Sequence, residues 1–162
     1  MRYPNLFNDP DPRADMLPCI TLWRPWANWV AGGHKTTETR LHERFESLQL
    51  RRIGIIAGQH WDEDAFDAAR PYCACDPRNL CGGYHPTGLL CTVDVGAHRE
   101  LSDDDSPHAL IDCGTVKRVG FRLTAVRKFS DPIPIRGAQG IKYVSLSTAE
   151  KRMEVAGTGG GK

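Results

Sequence analysis

The fold of this 162-residue chain is decided by the stretch from Leu22 to Arg40, which reads Leu-Trp-Arg-Pro-Trp-Ala-Asn-Trp-Val-Ala-Gly-Gly-His-Lys-Thr-Thr-Glu-Thr-Arg. The run from Ile20 to Trp23 is apolar and rich in strand formers, so it predicts a strand. Pro25 suits the first turn of a helix, and Gly32 is typical of the position at which a helix ends. The three threonines before Arg40 favour a second strand. The stretch therefore predicts a strand, a short helix and another strand.

The same stretch carries aromatic and ionisable side chains close together. Trp26 and Trp29 fall three positions apart, on one face of the predicted helix. In a regular strand Glu38 and Arg40 share one face and Lys35 takes the other, but a turn at the preceding glycines would bring Lys35 to them. One interpretation is an ion pair beside core tryptophans. The other is a ligand site, in which an aromatic ring stacks on a base, the carboxylate accepts hydrogen bonds and the cations hold phosphate.

Outward from this stretch, alternating or continuous apolar runs predict further short strands. They lie at Ile53–Ala57, Leu89–Val95, Val119–Phe129 and Ile141–Leu146. A short helix capped by Asp62 is predicted to end before Pro71, and residues 101–116 are interpreted as a loop. Strands and helices do not alternate, so a doubly wound sheet is excluded. The pattern predicts a mainly β (α+β) fold, a small β-barrel of five to six mixed strands with short flanking helices.

Length and composition predict one domain. Residues 1–17, rich in proline and aspartate, predict a flexible N-terminal arm, and residues 18–146 form the domain, with a cysteine-rich loop at 72–88. Residues 147–162 predict a short helix and a disordered glycine-rich tail. The sequence has no apolar run long enough for a membrane span or a secretory signal, so we expect a cytoplasmic protein without membrane partners.

Charge is balanced overall and concentrated locally. The formal net charge is +1, which gives no global attraction to polyanions. Between Lys117 and Lys142, however, seven basic residues stand against a single acid, Asp131. This segment is either the solvated face of a strand or a surface for a nucleic acid or protein partner.

Six segments, in order, resemble the ASCH domain family (activating signal cointegrator homology), part of the PUA-like superfamily. The two most distinctive are Leu-Trp-Arg-Pro-Trp-Ala at 22–27 and Gly-His-Lys-Thr-Thr-Glu-Thr-Arg at 33–40. The others are Arg52–Ala57, Pro86–Val95, Phe121–Val126 and Pro132–Gly137, and together the segments span about residues 18–146. Arg24 departs from the family pattern, in which many members carry glutamine.

The resemblance implies a PUA-like β-barrel with a cleft over the segment Gly33–Arg40, binding RNA, single-stranded DNA or a modified nucleoside. Carried over by position, the cleft would hold Lys35, Glu38 and Arg40, with Trp26 beside them and Arg136 on a facing loop. The full set of candidate ligand-binding residues is Trp23, Arg24, Trp26, Lys35, Glu38, Arg40, Arg122, Arg136 and Gln139.

Family resemblance also implies two alternatives to simple binding. Some small bacterial members are amidohydrolases on acetylated cytidine that use a lysine, a threonine and a glutamate, and ribonuclease activity has been proposed for others. In this chain the position of that threonine is Glu38, with Thr37 and Thr39 on either side. The hydrolase candidates are therefore Lys35, Glu38 and Thr37. In this reading Lys35 and Glu38 would activate a threonine hydroxyl or a water for attack on the substrate. The second alternative is a protein-interaction module in a nucleic-acid-processing complex, using the basic strand Arg118–Lys128.

The loop at 72–88 carries a cluster of candidate metal ligands. They are Cys73, Cys75, Cys81 and His85, which could supply a tetrahedral set for structural zinc. The spacing Cys-x-Cys is tighter than the usual Cys-x2-Cys, so reduced loop thiols are the alternative. Cys19, Cys91 and Cys113 lie in or beside predicted strands and are interpreted as small core residues.

Overall fold

The computed structural model of the protein describes residue 13, residues 15–73, residues 85–145 and residue 147. Seven strands form one mixed sheet, and the short helices lie against it. In chain order the elements are β1 (Met16–Arg24), α1 (Trp26–Ala31), β2 (Thr37–Arg40), β3 (Arg52–Trp61), α2 (Ala65–Ala69), β4 (Gly88–Val95), β5 (Arg99–Glu100), α3 (Ser106–Ala109), β6 (Val119–Ile133) and β7 (Ile141–Ser145).

The sheet has the order β2-β6-β4-β3-β1-β7, and β5 also pairs with β6. Only β1 and β3 run parallel; the other described pairs are antiparallel. The strand order depends on the length of β6. Its first residues pair with β2 and β5, and the rest of the strand pairs with β4. The strand β2, which carries Glu38 and Arg40, is thereby held at one edge of the sheet.

The predicted mainly β class is confirmed, with two differences in detail. The sheet has seven strands instead of five or six, and the extra strand is β5, which is only two residues long and leaves no periodic signal. The expected barrel is open, since the two end strands of the described sheet, β2 and β7, do not pair with each other. None of the helices that the structure describes is both long and apolar enough to cross a bilayer.

The core explains why the opening stretch folds as it does. Trp29 is completely buried, and its ring forms a T-shaped pair with the Trp26 ring, with centroids 5.1 Å apart. The helix α1 ends at Gly32, whose backbone N–H donates to the carbonyl of Asn28. The next residue, Gly33, has φ +77°, a left-handed conformation that favours glycine and turns the chain towards β2. Here the predicted strand, helix and strand are confirmed.

The cysteines predicted as core residues are buried. Cys19, Cys91 and Cys113 are 0–2% exposed and carry free thiols. Burial raises the pKa of Cys19 and of Cys91 to about 12, so both remain protonated and unreactive at neutral pH. They act as small apolar side chains.

The predicted loop at 101–116 contains a 3-10 turn, Asp103–Asp105, that leads into α3. Ser102 and Asp105 form a capping box, and Arg99 binds the Asp105 carboxylate with two hydrogen bonds of 2.8 and 2.6 Å. The hydrogen bonds from Arg99, followed by the backbone N–H of Ser102, lower the pKa of Asp105 to about 2. Ser102, Asp105 and Arg99 together thus anchor this segment.

We expect Asp105→Asn to destabilise the fold by roughly 1 kcal/mol at pH 7, a modest value because the partner Arg99 is half-exposed. A carboxyl whose pKa is lowered by folding stabilises above its unfolded pKa of about 3.9 and loses that contribution as the pH falls. The difference between wild type and variant should therefore shrink between about pH 4 and pH 2. Urea unfolding at several pH values measures it, and a difference that grows on acidification would contradict the ion pair.

Candidate functional site

A cavity of about 280 Å³ opens at the end of the sheet where β1, α1 and β2 meet. Its volume lies just below the usual range for small-molecule pockets, about 300–1,000 Å³. We call it the inner pocket. It is lined by Thr21, Leu22, Trp23, Trp26, Lys35, Glu38, Thr39, Arg40, Asp62 and Ile111.

Lys35 lies in the wall of the inner pocket and is almost completely buried. Its Nζ donates hydrogen bonds to the carbonyl of Thr37 at 2.7 Å and to the carbonyl of Ala109 at 2.9 Å. It lies 3.7 Å from Glu38 Oε2 and 5.4 Å from the centroid of the Trp26 ring. Burial lowers the pKa of Lys35, while the Glu38 carboxylate opposes that change. Two of its three polar contacts are therefore structural, and the third faces the pocket.

Glu38 is the buried carboxylate of the pocket, with a side chain only 5% exposed. Its Oε1 lies 3.0 Å from Arg40 Nε, so two cations compensate its charge from two sides. The contact with Arg40 is electrostatic, because Nε and Nη2 of Arg40 are buried without a hydrogen-bond acceptor among the described residues. Glu38 can thus accept hydrogen bonds from a ligand while its charge remains balanced.

The position of Lys35 relative to Glu38 follows from where β2 begins. The strand starts at Thr37, so Lys35 lies in the turn before it and is free of strand alternation. From this position Lys35 Nζ lies near the carboxylate of Glu38, three residues later in the chain, as predicted for a turn at Gly33.

The ring of Trp26 is held in a fixed orientation beside the cavity. Its Nε1 donates a 2.6 Å hydrogen bond to Asp62 Oδ2, and its ring packs against Trp29 in a T-shaped arrangement. The prediction of Asp62 as the helix cap is wrong, because Asp64 is the N-cap of α2 and that helix has no side-chain cap; Asp62 Oδ1 instead accepts from the backbone N–H of Asp64. These two contacts, with Asp62 and with Trp29, fix the orientation of the Trp26 ring, which forms a rigid aromatic wall of the cavity.

A second, wider cavity of about 560 Å³ adjoins the inner pocket and shares Thr21, Trp23 and Arg40 with it. We call it the outer groove. Basic side chains line it from three segments of the chain: Arg40, His42, Arg44, His60 and Arg136. No acidic side chain of the described residues lines it. In a protein of net charge +1, this is a local concentration of positive charge.

The loop that carries Arg136 is fixed to β1. The backbone N–H of Ala138 donates to Thr21 Oγ1 at 3.0 Å, and Lys142 Nζ donates to the carbonyl of Arg136 at 2.6 Å. A Cβ at Gly137 would lie 2.5 Å from Thr21 Cγ2, so a larger residue here would displace the Thr21 side chain or the loop. The loop therefore holds Arg136 over the outer groove without help from a ligand.

Sequence-predicted residues divide into three groups. The inner pocket brings together Trp23, Trp26, Lys35, Glu38 and Arg40, and the outer groove adds Arg136 and Gln139. Three candidates lie elsewhere, namely Arg24, Thr37 and Arg122.

Each of these three has another role or location. Arg24 donates to the carbonyls of His85 and Gln59, and its guanidinium lies 5.9 Å from the Trp61 ring centroid. Thr37 is buried and offers its carbonyl to Lys35, whereas Thr39 lines the pocket. Arg122 is exposed on β6, outside both cavities.

Sequence reasoning missed several groove residues. His42 and Arg44 come from the irregular loop after β2, and Gln59 and His60 come from an extension of β3 beyond its apolar run. The one available signal was the local sequence Arg-Leu-His-Glu-Arg at 40–44, which begins at the last residue of β2. It carries no periodicity that would direct it towards the Arg136 loop.

Two of the four predicted zinc ligands, Cys75 and Cys81, fall in 74–84, outside the described part of the chain. His85 lies among aromatic rings, 5.2 Å from Trp61 and 6.5 Å from Phe66 between centroids. Among the described residues no group of three or more His, Cys, Asp or Glu side chains could hold a metal ion.

The described residues form a mixed open sheet with two adjoining cavities beside β2, which defines a mainly β protein. Comparison with solved structures gives the same fold. The crystal structure of an ASCH protein from Zymomonas mobilis aligns with a TM-score of 0.52 at 16% identity, over 85% of this chain and 94% of that chain.

A tyrosine-to-phenylalanine mutant of the Zymomonas mobilis protein aligns with a TM-score of 0.51 at 15% identity, over 85% of this chain and 96% of that chain. No family model and no curated protein matches the sequence. The chain therefore has the fold of ASCH proteins, as the ordered sequence segments predicted.

Proposed function

We propose that this protein binds a nucleobase of RNA, single-stranded DNA or a nucleotide-like ligand in the inner pocket. The observation that carries the proposal is Glu38, a buried carboxylate that lines a small cavity beside the fixed ring of Trp26. A nucleobase offers a flat surface for the ring and N–H donors for the carboxylate.

The charge around Glu38 favours a ligand with donors at its edge. Carboxylate oxygens only accept hydrogen bonds, and Asp62 adds a second carboxylate to the lining. Lys35 and Arg40 prevent the buried charge from being uncompensated when the pocket is empty. A ligand that brings N–H groups can therefore bind without requiring either carboxylate to change partners.

Glu38→Gln tests this function. We expect about a tenfold loss of affinity, since a good bidentate contact to a base edge contributes about 1–3 kcal/mol and the amide presents only one acceptor. Calorimetric titration with the four ribonucleosides and with single-stranded hexanucleotides of RNA and DNA at low salt measures it.

The matched control is Glu100→Gln, at an exposed glutamate paired with Lys117 outside both cavities, which should leave affinity unchanged. Circular dichroism and a melting curve establish that each variant is folded. Wild-type protein that binds neither nucleosides nor oligonucleotides would contradict the proposal, as would Glu38→Gln protein that binds like wild type. Failure of all binding would favour the third reading, an interaction module that uses the basic strand Arg118–Lys128.

Hydrolysis of a modified cytidine or of RNA is a second candidate, and it is favoured by the buried amine of Lys35. Burial lowers the pKa of Lys35, which moves the amine towards the neutral form that a general base requires. Two hydroxyl-bearing residues line the pocket, Thr21 and Thr39. Because Thr21 Oγ1 already accepts a hydrogen bond from the backbone N–H of Ala138, Thr39 replaces Thr37 as the candidate nucleophile. Product formation from acetylated cytidine or RNA distinguishes this activity from binding, because binding alone yields no product.

A further inference from the structure

The outer groove adds a second subsite to the inner pocket. We propose that it binds the phosphate and the neighbouring nucleotide of a single strand, so that the ligand is a chain of at least two nucleotides and not a free nucleoside. This inference rests on the proposed function, since it assumes that one base occupies the inner pocket.

The side chains that line the outer groove have the charge expected of a surface that binds a phosphate backbone. Three arginines and two histidines line it, and no acidic side chain of the described residues does. Phosphodiester groups carry one negative charge each, and arginine binds their oxygens with a planar set of donors. A free nucleoside has no group for these side chains, so the groove is unexplained by the inner pocket alone.

Arg40 lies where the two cavities meet. It lines both of them, its side chain is 27% exposed, and its Nε faces Glu38 at 3.0 Å. One guanidinium therefore lies beside the carboxylate that would contact a base and also beside the groove that would hold the next phosphate. This position fits the phosphodiester that joins the base in the pocket to its neighbour.

Trp23 supplies an aromatic surface at the same junction. It lines both cavities, is 54% exposed, and its ring lies 4.0 Å from the ring of His60 between centroids. An exposed tryptophan in a basic groove is the arrangement that stacks successive bases of a single strand. The neighbouring nucleotide would stack on Trp23 while Arg44 and Arg136 contact its phosphates.

The test compares ligands of increasing length on the full-length protein. Calorimetry at 50 mM and 200 mM salt uses a nucleoside, its 5′-monophosphate, a dinucleoside monophosphate and a hexanucleotide, in RNA and DNA forms. We expect the dinucleoside monophosphate to bind about tenfold more tightly than the nucleoside, because a stacked base and a phosphate contact are added. The RNA and DNA arms identify which strand is preferred.

Arg136→Gln and Arg44→Gln should each weaken hexanucleotide binding about fivefold and reduce the salt slope by about one unit. Both should leave nucleoside affinity within about twofold of wild type, because neither residue lines the inner pocket. The matched control is Arg127→Gln, an exposed arginine on β6 outside both cavities, which should change nothing.

Each other outcome has a defined meaning. If the nucleoside binds as tightly as the hexanucleotide and the groove variants behave like wild type, the second subsite is overturned while the proposed function of the inner pocket stands. If Arg127→Gln weakens the hexanucleotide and Arg136→Gln does not, the strand lies on β6 and the subsite is overturned. If wild type binds no probe, both the subsite and the proposed function fail.

Discussion

Replacing Gly120 with alanine is expected to prevent the protein from folding stably. Gly120 lies on β6 opposite Thr39 of β2 and Arg99 of β5. A Cβ at this position would collide with the backbone carbonyl oxygen of Glu38, which cannot rotate away as a side chain could. The strand β2 would have to separate from β6, and Glu38 would move with it.

The expected cost is more than about 4 kcal/mol, a large part of the 5–15 kcal/mol that stabilises a typical domain. Urea unfolding followed by tryptophan fluorescence measures this loss. The matched control is Gly96→Ala, whose Cβ would meet its nearest atoms, all in Arg122, at an ordinary 3.5 Å. Its stability should remain within about 1 kcal/mol of wild type. Equal stability of the two variants would contradict the close approach of β2 to β6.

Lys35→Met is expected to have the next largest effect, a loss of about 3 kcal/mol. The substitution keeps an apolar stem but removes the donor from the carbonyls of Thr37 and Ala109 and one cation from Glu38. Breaking a buried charge pair costs about 3–5 kcal/mol, and Arg40 still compensates part of the Glu38 charge. The lower end of that range is therefore expected.

The same substitution at Lys117 is the control, because Lys117 pairs with Glu100 at an exposed site and should contribute less than about 1 kcal/mol. A double variant, Lys35→Met with Glu38→Gln, should lose less stability than the two single variants combined, since neutralising Glu38 removes the unpaired charge. If Lys35→Met were no more destabilising than Lys117→Met, the buried amine would have no structural role.

The inner pocket could be predicted from sequence because its parts are close along the chain. Trp26, Lys35, Glu38 and Arg40 lie within one strand-helix-strand unit, and periodicity together with the resemblance identified them. The strand β4 was predicted within one residue, because alternation over Leu89–Val95 matches a buried strand.

The outer groove could be predicted only in part, through the resemblance that pointed to Arg136, because irregular segments distant in sequence form the rest of it. His42 and Arg44 meet Arg136 only after β2 has been placed on β6 and the 134–140 loop on Thr21. A local sequence pattern does not show which distant segments of the chain come into contact in the fold. Thr37 was selected over Thr39 for a related reason, since alternation puts both on one face and does not say which one reaches a cavity.

The hydrogen bond from Lys35 to Ala109 joins positions 74 residues apart, so no short fragment of the chain can contain the whole pocket wall. A ligand of the pocket therefore binds the native state and has nothing comparable to bind in the unfolded chain. At a free concentration 100 times its Kd, such a ligand stabilises the protein by about 2.7 kcal/mol. Thermal denaturation in the presence of a chemical library is thus a search for the natural ligand that requires no assumption about what the ligand is.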